Sequence, residues 1–568
     1  MPISRRELIR RASALSLSAA ATSTMTGCGD DGGGGGESGG TTGGGGSTGS
    51  EDSTGDVAST TAVDESSSSS SGGDDGLPRY EYDGEPGPET MFSHGVASGD
   101  PLADSVILWT RLSPDGDEAV EAFFEVALDP EFQVRVAADY LDSSPERDQT
   151  IKLDVEGLQP ATTYYYRFFA LGRESLIGRT RTAPDGPAER LRFVVCSCAS
   201  LAHGYFHAYR HVAARADLDL VVHLGDYIYE YATGEYGDVR EYEPATEIVS
   251  LDDYRARYAQ YRRDPDLQEL HRQHPMVAVW DDHESADNAY RDGATNHQPM
   301  TEGEWEDRKA VASQVYAEWM PLREGASAVI YRALPYGDLM HLIMLDTRIV
   351  GRDEQPDDLT DPELLDDPDR QLLGMEQEAW LENELANSTA QWKVIGQQVV
   401  MSEVILGENP FNADQWDGYR AARGRFYELA ESAGNVVVLT GDIHSSWAFD
   451  LAVDPAGTYD PDDGTGSVGV ELVTPAISSP GFPFNASATL VATNPHLHWM
   501  DPDQRGYVVV DVDTQRVQAS WWFVADVESP EGGDESLGAV WAVQDGTNHF
   551  VEDDAPAEPP ADPPPLAP

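Results

Sequence analysis

The stretch LDLVVHLGDYIY, residues 218–229, decides the fold of this chain of 568 residues. Its first part, Leu218–Leu224, is a short apolar run that predicts a buried strand. Gly225, Asp226 and Tyr229 follow where that strand should end. Open α/β sheets place their chemistry in loops beyond the carboxyl ends of strands. We therefore expect Asp226 and Tyr229 to lie in a functional site at one edge of a sheet.

Three further motifs repeat this pattern of a buried strand followed by polar side chains. The predicted strands are Met276–Val279, Leu342–Leu345 and Val436–Leu439. The motifs are Trp280-Asp281-Asp282-His283-Glu284, Leu345-Asp346-Thr347-Arg348 and Gly441-Asp442-Ile443-His444. Four clusters of oxygen and nitrogen donors at four strand ends can converge on one metal site. The sequence predicts that they do.

Asp226 and Tyr229 are suited to metal binding. If the loop enters a helical turn, side chains at i and i+3 point the same way. A carboxylate is a hard anionic ligand that can bridge two cations, whereas a phenolate favours Fe³⁺ over Ca²⁺, Mg²⁺ or Zn²⁺. Taken alone, the Gly-Asp pair is also compatible with a capping aspartate. We interpret His223 in the same strand as a core histidine.

His283 lies among three carboxylates, including that of Asp282. These carboxylates would repel one another on an ordinary surface, whereas a bound cation reverses the sign of the interaction. We expect His283 to titrate near neutral pH and to be a candidate donor of a proton or a hydrogen bond to phosphate. Arg348, beside Asp346, is a candidate bidentate clamp for phosphate oxygens, or alternatively a member of a structural Arg–Asp pair.

The fourth motif offers two further ligands. Asp442 and His444 alternate, so both face one side if the segment is extended. His444 is either a metal ligand or a buried core histidine. The cysteines are Cys28, Cys196 and Cys198, too few for a disulfide scaffold. Cys196 and Cys198 are predicted to sit in an apolar strand.

The composition excludes some classes of partner. The chain carries 37 basic and 101 acidic residues, a formal charge of −64. Such a surface repels nucleic acid and anionic lipid, so no nucleic-acid-binding role is expected. An anionic substrate must then be attracted by local positive charge, which bound cations and arginine supply most simply. The acidic surface as a whole is typical of a protein suited to salty surroundings.

The first 78 residues predict export rather than a folded domain. Ser4–Arg10 resembles a twin-arginine signal, and the apolar stretch after it is too short to remain in a membrane. Met25–Cys28 resembles a lipobox, which makes Cys28 a lipidation site; plain signal cleavage nearby is the alternative. Residues 1–28 are thus the signal, and the Gly/Ser-rich residues 29–78 a disordered tether. We expect a periplasmic or extracellular protein, lipid-anchored to a membrane.

Two folded domains and a tail are expected after the tether. Residues 79–184 predict an all-β domain, residues 188–549 a domain of alternating strands and helices, and residues 550–568 a disordered acidic, Pro-rich tail. Candidate strands of the first domain are Ser105–Trp109, Phe123–Ala127, Ile151–Val155 and Thr163–Phe169. In the segment Gly157–Arg167 a tyrosine is expected to hydrogen-bond back to a corner between two sheets.

Two helices of the second domain can be predicted from their patterns. Ser250-Leu251-Asp252-Asp253 is typical of a capping box, and Tyr254, Tyr258 and Tyr261 then share one helical face, which we interpret as packing. Gln371–Leu385 repeats the helical pattern and precedes a predicted strand, Trp392–Gly396.

Together these motifs resemble the PhoD-type alkaline phosphatases of the metallophosphoesterase superfamily. The resemblance also extends to Val96–Pro101, Leu108–Leu112, Gly204–Phe206, His223–Tyr231 and Thr474–Pro480. It covers nearly the whole predicted folded body. It implies an α+β fold: a four-layer α/β/β/α metallophosphoesterase sandwich preceded by an all-β fibronectin III- or Ig-like N-terminal domain.

The resemblance also implies a ferric ion with one or two calcium ions. Carried over by motif, Cys198, Asp226, Tyr229 and His444 would hold Fe³⁺. Asp226 would bridge to Ca²⁺, with Asp282 and Asp442 completing the calcium side. Cys198 is chosen over Cys196 because it follows Ser197 at the strand end. Other metallophosphoesterases often have histidines where this chain has Asp442 and Gln398, and oxygen donors shift the preference from zinc toward calcium.

The expected activity is hydrolysis of small phosphomonoesters and phosphodiesters by metal-activated hydroxide, releasing phosphate. Arg348 would offset charge on the phosphate oxygens and His283 would assist the leaving oxygen. One alternative is a phosphodiesterase or phospholipase D-like enzyme. Another is a surface binding module on an inactive phosphatase fold. We expect a monomer that meets a membrane only through its N-terminal lipid.

Overall fold

The computed structural model describes residues 58–61, 75–324, 329–407, 409–482 and 487–568. The predicted signal of residues 1–28, with its lipidation site Cys28, lies outside the described residues, as does most of the predicted tether. Within the described ranges, no helix combines the length and apolar character needed to cross a membrane.

Strands and helices alternate after an N-terminal region made mostly of strands. The strands are β1 Ala58–Thr61, β2 Val96–Gly99, β3 Ser105–Arg111, β4 Glu121–Ala127, β5 Arg135–Asp142, β6 Thr150–Glu156, β7 Thr163–Ala170, β8 Arg173–Glu174, β9 Gly178–Arg181, β10 Arg190–Cys196, β11 Leu220–His223, β12 Met276–Ala278, β13 Arg332–Tyr336, β14 Met340–Met344, β15 Trp392–Gln397, β16 Ile405–Leu406, β17 Asn409–Pro410, β18 Val436–Thr440, β19 Ser446–Ala452, β20 Ser467–Val473, β21 Leu497–Asp501, β22 Arg505–Asp513, β23 Arg516–Val524, β24 Glu535–Gln544 and β25 Phe550–Glu552. The helices are α1 His207–Ala213, α2 Leu251–Tyr261, α3 Pro265–Gln273, α4 Pro299–Glu302, α5 Trp305–Trp319, α6 Pro362–Leu365, α7 Met375–Asn387, α8 Arg420–Ala433 and α9 Ser487–Thr493.

The strands assemble mainly into three sheets. Sheet A has eleven strands in the order β1-β6-β3-β2-β12-β11-β10-β22-β23-β24-β25. Sheet B has seven strands in the order β13-β14-β15-β18-β20-β19-β21, and sheet C has five, β5-β4-β7-β8 with β9 paired to β7. In sheet A, β10, β11 and β12 run parallel, and in sheet B so do β14, β15, β18 and β20. The carboxyl ends of these parallel strands create the edge that the sequence predicted.

Sheets A and B share one hydrophobic core, which includes Phe193 and Val222 of sheet A and Val394 and Leu439 of sheet B. Polar contacts of buried tryptophans reinforce the packing. Trp521 Nε1 donates to the carbonyl of Val473 at 3.0 Å, which links the sheets. These contacts fix the two sets of strand ends relative to each other.

The N-terminal strands occur where they were predicted. All four candidate strands exist as β3, β4, β6 and β7, each extended by one or two residues at one or both ends. The backbone N–H of Gln159 donates to Tyr164 Oη at 2.8 Å, which confirms the predicted tyrosine contact. Gly99 of β2 pairs with Met276 of β12, so the N-terminal strands continue sheet A rather than form an isolated unit. A single pair between strand edges leaves no periodic signal in the sequence.

The two predicted helices are confirmed with one shifted boundary. The Ser250 side chain and the Asp253 side chain form the reciprocal contacts of a capping box at the start of α2. Tyr254, Tyr258 and Tyr261 are buried in the core as expected. The helix predicted from Gln371 begins only at Met375, since Gly374 has a φ of +79°, outside helical values.

Two predictions of disorder are wrong in part. Residues 550–568 were expected to form a disordered tail, but they begin with β25, paired to β24. Further on, the carbonyl of Pro565 accepts from Tyr165 Oη at 2.7 Å, and the N–H of Ala567 donates to Gln273 Oε1 at 2.8 Å. Neighbouring side chains thus satisfy the backbone of a segment that has few apolar residues of its own. Within the predicted tether, β1 pairs in parallel with β6.

Candidate metal centre

The four predicted motifs come together beyond the ends of β11, β12, β14 and β18. Asp226, Asp282, Arg348 and Asp442 are all buried, each with at most 3 % of its surface exposed. His444 belongs to the same buried group. The convergence predicted from separated loops is therefore present in the structure.

The loops that carry these residues are sharply turned. Positive φ angles occur at four of the predicted ligands: Cys198 (+62°), Asp226 (+54°), Asp442 (+59°) and His444 (+59°). Non-glycine residues rarely adopt this region, and when they do they cluster at functional sites.

This geometry corrects three details of the sequence analysis. β10 ends at Cys196, so Cys198 lies in the turn after the strand rather than within it. Asp226–Tyr229 forms bends without a helical turn. Asp442 and His444 face one site although their segment is not extended, because the left-handed turns redirect both side chains.

One group of possible ligands contains a thiol, a carboxylate and an imidazole. Ligand atoms of Cys198, Asp226 and His444 all lie within 4.8 Å of one another. Tyr229 Oη donates to Asp226 Oδ2 at 2.8 Å and lies 3.2 Å from His444 Nε2 and 2.6 Å from Ser479 Oγ. All four residues predicted to hold Fe³⁺ are therefore in one place. The Ser479 contact explains the presence of the Thr474–Pro480 segment beside the site.

A second group shares Asp226 with the first. Ligand atoms of Asp226, Asp282 and His283 lie within 4.8 Å of one another. His283 Nδ1 is 2.7 Å from Glu230 Oε2, which fixes the ring, while Nε2 has no hydrogen-bond partner among the described residues. Burial opposes protonation, but Asp282, Asp226 and Glu230 outweigh it and hold the pKa of His283 well above its ordinary value.

A third group consists of carboxylates, those of Asp281, Asp282 and Asp442. Arg348 lies against them: its Nε contacts Asp281 Oδ1 and its Nη2 donates to Asp442 Oδ1 at 2.6 Å. The predicted alternative, a structural Arg–Asp pair, is therefore present, with Asp281 and Asp442 among the partners of the guanidinium. Asp346 instead accepts the backbone N–H of Arg348 at 2.8 Å. The guanidinium therefore supplies positive charge to the carboxylates of the site.

Several site residues were not predicted. Asp414 accepts two hydrogen bonds from Arg348 Nη1, at 2.9 and 2.8 Å, and a third from Arg352 at 2.7 Å. Gln415 donates to Asp442 Oδ2 at 2.7 Å. Neither follows a predicted strand, so no signal marked them. Glu230 was detectable, since it continues the first motif one residue past Tyr229.

Glu284 supports the loops from behind. Its carboxylate accepts the backbone N–H groups of Asp226 at 3.1 Å, Tyr227 at 2.6 Å and Asp281 at 2.8 Å. Burial, assisted by the nearby Asp226, raises the pKa of Glu284 to about 8. It ties the first two motifs together.

Cys196 and His223 belong to none of the ligand groups, and Gln398 contacts the loops that carry them. Cys196 Sγ contacts the carbonyl of Val222 at 3.8 Å, and burial raises the pKa of its thiol. His223 Nε2 is 2.8 Å from Tyr209 Oη, which places it in the core as predicted. Gln398 Nε2 donates to the carbonyls of Trp280 and Leu345. The structure thus separates the two cysteines, with Cys198 at the ligand groups.

The donor set fits bound cations. Asp281 Oδ2 and His283 Nε2 are buried without hydrogen-bond partners among the described residues. Burial, reinforced by repulsion from Asp282, Asp226 and Asp442, raises the pKa of Asp281 well above its ordinary value despite the nearby Arg348. Burying several carboxylates together is costly unless cations compensate them. The thiol, phenol and imidazole suit a transition metal, and the carboxylates suit a hard cation.

Comparisons with known proteins agree with this geometry. Residues 193–521 match the family described as PhoD-like phosphatase, and residues 81–184 match the N-terminal domain of PhoD-like phosphatases. Alkaline phosphatase D of Bacillus subtilis (strain 168) is 39 % identical over 467 residues, which cover 77 % of this chain and 78 % of that protein. A solved structure titled "Structure of PhoD" has a TM-score of 0.76 and 36 % identity, and covers 84 % of this chain and 94 % of the other.

Proposed function

Because the chain belongs to the PhoD-like phosphatase family, we propose that its buried ligand groups hold the metal ions with which it hydrolyses small phosphoric esters. One observation carries this proposal: Asp226 belongs both to the group with Cys198 and His444 and to the group with Asp282 and His283. A carboxylate shared by two adjacent groups is the arrangement that a two-metal site requires.

The residues divide between two kinds of cation. Cys198, Asp226, Tyr229 and His444 would hold Fe³⁺, since a thiolate and a phenolate favour a strongly acidic transition metal. The second set consists of oxygen donors and suits one or two Ca²⁺ ions. It contains Asp282, Asp442 and the shared Asp226. When bound, such ions activate water and offset the negative charge of a phosphoryl group.

His283 is positioned to hold a proton for the leaving oxygen. Glu230 occupies its Nδ1 at 2.7 Å, so the proton available to substrate is the one on Nε2. Asn296 Nδ2 donates to Glu230 Oε1 at 2.8 Å and steadies that carboxylate. The arrangement supports the general-acid role predicted for His283.

Arg348 has a more complex role than a phosphate clamp. Its guanidinium is engaged by Asp281, Asp414 and Asp442. We infer that it balances and positions these carboxylates, and that its contact with phosphate depends on cations taking over part of their charge.

The remaining expectations are part of the same proposal. We propose export by the twin-arginine route, a lipid anchor at Cys28, a periplasmic or extracellular location and a monomeric state. We also propose that sheets A and B with their helices form a four-layer α/β/β/α sandwich, preceded by a fibronectin III-like domain. The signal and lipobox motifs support export and anchoring. The shared core of sheets A and B supports the sandwich.

Asp226→Asn tests the function. The variant should lose nearly all turnover of p-nitrophenyl phosphate and most of its bound metal, because both ligand groups lose their common carboxylate. Asp417→Asn is the matched control, since Asp417 is equally buried but pairs with Arg423 at 2.7 Å, outside the site. Turnover by a folded Asp226→Asn protein at the level of the Asp417→Asn control would refute the proposal.

Two measurements resolve substrate and metals. The ratio of turnover on p-nitrophenyl phosphate and on its bis-ester separates a phosphomonoesterase from a phosphodiesterase. Elemental analysis of the purified protein, with its visible spectrum, should find iron and calcium in a coloured protein. An active protein that is colourless and iron-free would contradict the ferric assignment.

A further inference from the structure

A second cluster of possible metal ligands lies away from the active site. Ligand atoms of Asp450, His498 and His549 all lie within 4.8 Å of one another. Asp450 is fully buried in β19, four residues after Ser446, or roughly 13 Å along the strand at about 3.3 Å per residue. None of the three residues belongs to the ligand groups of the active site.

The three residues come from separate parts of the fold. Asp450 is on β19 and His498 on β21, both in sheet B, whereas His549 directly precedes β25 of sheet A. Phe550 N–H donates to Asp450 Oδ1 at 2.9 Å, so the two sheets already meet at this carboxylate. A ligand here would join the end of sheet A to sheet B.

A β-bulge places His498 in the cluster. Along the β19–β21 ladder, Ala448 pairs with Trp499 and Phe449 pairs with Leu497, so His498 is the extra residue of a bulge. Bulges re-aim a side chain and are over-represented near functional sites. Without the extra residue, the alternation of side chains between the two faces of the sheet would be shifted by one position relative to Asp450.

Both imidazoles of the cluster approach the carboxylate of Asp450. Asp450 Oδ2 accepts from Tyr459 Oη at 2.8 Å and lies 2.6 Å from His549 Nδ1. His498 Nε2 is 3.1 Å from Asp450 Oδ1, at ion-pair distance but without the alignment of a hydrogen bond. An ordinary Asp–His pair would direct the N–H of the ring at the carboxylate.

We propose that Asp450, His498 and His549 bind a divalent transition-metal ion of the zinc class. Two imidazole nitrogens and one carboxylate oxygen are a common ligand set for zinc, with water in a remaining position. The two imidazole side chains are 12 % and 13 % exposed, which leaves room for such a water. The ion fastens the C-terminal strand of sheet A to the edge of sheet B.

Metal counting tests the proposal in the full-length chain. Asp226→Asn protein is stripped of metal, incubated with Zn²⁺ and dialysed, and its zinc content is compared with that of Asp226→Asn/His498→Ala. The first should retain one zinc per chain more than the second. Equal zinc contents in the two folded proteins would overturn the proposal.

X-ray absorption at the zinc edge gives a second readout that needs no further variant. Zinc bound to Asp226→Asn protein at this cluster should show only nitrogen and oxygen neighbours, two of them imidazoles. Zinc held by Cys198 would show a sulfur neighbour at about 2.3 Å. A spectrum dominated by sulfur, or one without imidazole scattering, would refute the cluster as the binding site.

The proposed ion should also stabilise the fold. A ligand that binds only the native state raises the melting temperature in a concentration-dependent way. Zn²⁺ should therefore raise the melting temperature of Asp226→Asn protein by more than it raises that of Asp226→Asn/His549→Ala. His211→Ala in the same background is the matched control, because His211 contacts the Gly533 carbonyl elsewhere and its loss should preserve the zinc effect. An equal zinc effect in the His549 variant would argue against the site.

Discussion

At the scale of single residues, the two cysteines show how one position changes the chemistry of a side chain. Cys196 ends β10 and faces the core, whereas Cys198 lies in a left-handed turn beside Asp226 and His444. From the sequence alone, the two cysteines differ only in their order along the chain. Their different roles depend on where the strand stops.

Replacing each cysteine by serine tests this difference. Cys198→Ser should lose or shift the visible absorption expected of the ferric site and reduce phosphatase turnover by roughly tenfold or more, because a soft ligand is lost. Cys196→Ser should keep both, since its sulfur contacts only the core. The measurement is a visible spectrum and a turnover assay on the same samples. A changed spectrum in Cys196→Ser alone would reverse the assignment.

Arg348 is expected to stabilise the metal-free protein. Arg348→Ala would leave Asp281, Asp414 and Asp442 buried without their counter-charge, so the free energy of unfolding should fall by about 3–5 kcal/mol. Urea denaturation in the presence of a chelator measures this loss. Added Ca²⁺ should restore part of the stability, because the cation replaces the lost positive charge at the carboxylates.

The control for Arg348 is an arginine on the surface. Arg291 pairs with Asp292 at 2.8 Å, but both side chains are largely in water. Arg291→Ala should therefore change the free energy of unfolding by less than about 1 kcal/mol. Equal losses in the two variants would mean that the buried network contributes nothing beyond an ordinary surface pair.

These site residues were predictable because they follow apolar strands within a few residues. Asp226, Asp282, Arg348 and Asp442 all do so, and the structure brings them together. Asp414 was not predictable, since it reaches Arg348 from a loop 66 residues further along the chain. Such a contact is set by the packing of the whole domain.

At the scale of elements, the start of α2 forms the capping box that its sequence predicts. Ser250 accepts from Asp253 N–H at 3.4 Å, and Asp253 Oδ2 accepts from Ser250 N–H at 3.0 Å. The helix buries Tyr254, Tyr258 and Tyr261 in the core that sheets A and B share, so its start fixes where this aromatic face packs. Tyr254 Oη donates to the carbonyl of Ser285, next to Glu284 of the second motif, so the capping box contributes to the packing beside the active site.

Ser250→Ala should destabilise the protein by about 1 kcal/mol, because the N-cap loses its side-chain acceptor. Urea denaturation monitored by circular dichroism measures the change. Ser250→Asp is the matched control, since aspartate is an equally good N-cap and should keep the stability near that of the unchanged chain. A loss of equal size with aspartate would show that the cap contact is not the cause.

The elements were easier to predict than the turns between them. Strands β11, β12, β14 and β18 match the apolar runs, because burial on both faces leaves a continuous hydrophobic pattern. The left-handed turns at Asp442 and His444 were not predicted, since neither position is itself a glycine. The bulge at His498 likewise depends on the pairing partner rather than on local sequence.

At the scale of the whole molecule, sheet A joins regions that the sequence separates. Its order runs from the N-terminal strands through β12, β11 and β10 to the C-terminal β25. The predicted boundary near residue 184 describes the order of the chain but not the hydrogen bonding of the sheet. Edge-to-edge pairing between distant strands is a property of the folded molecule that periodicity cannot reveal.

The C-terminal segment extends this connection back to the N-terminal strands. After β25, the carbonyl of Ala557 accepts from Arg192 at 3.0 Å, that of Pro565 accepts from Tyr165, and Ala567 exchanges hydrogen bonds with Gln273. Arg192 and Tyr165 lie on sheets A and C, and Gln273 ends α3. A proline-rich segment loses little conformational entropy on binding, so these contacts are sufficient to order it.

Deleting residues 553–568 should lower the free energy of unfolding by about 1–3 kcal/mol, because several hydrogen bonds are lost. The shorter chain also loses less conformational entropy on folding, which offsets part of this cost. It should also expose α3 to proteolysis. Tyr165→Phe is the graded control: it removes only the contact with Pro565 and should cost about 1 kcal/mol or less. A truncated protein with unchanged urea midpoint and unchanged proteolysis would show that the segment does not hold the sheets together.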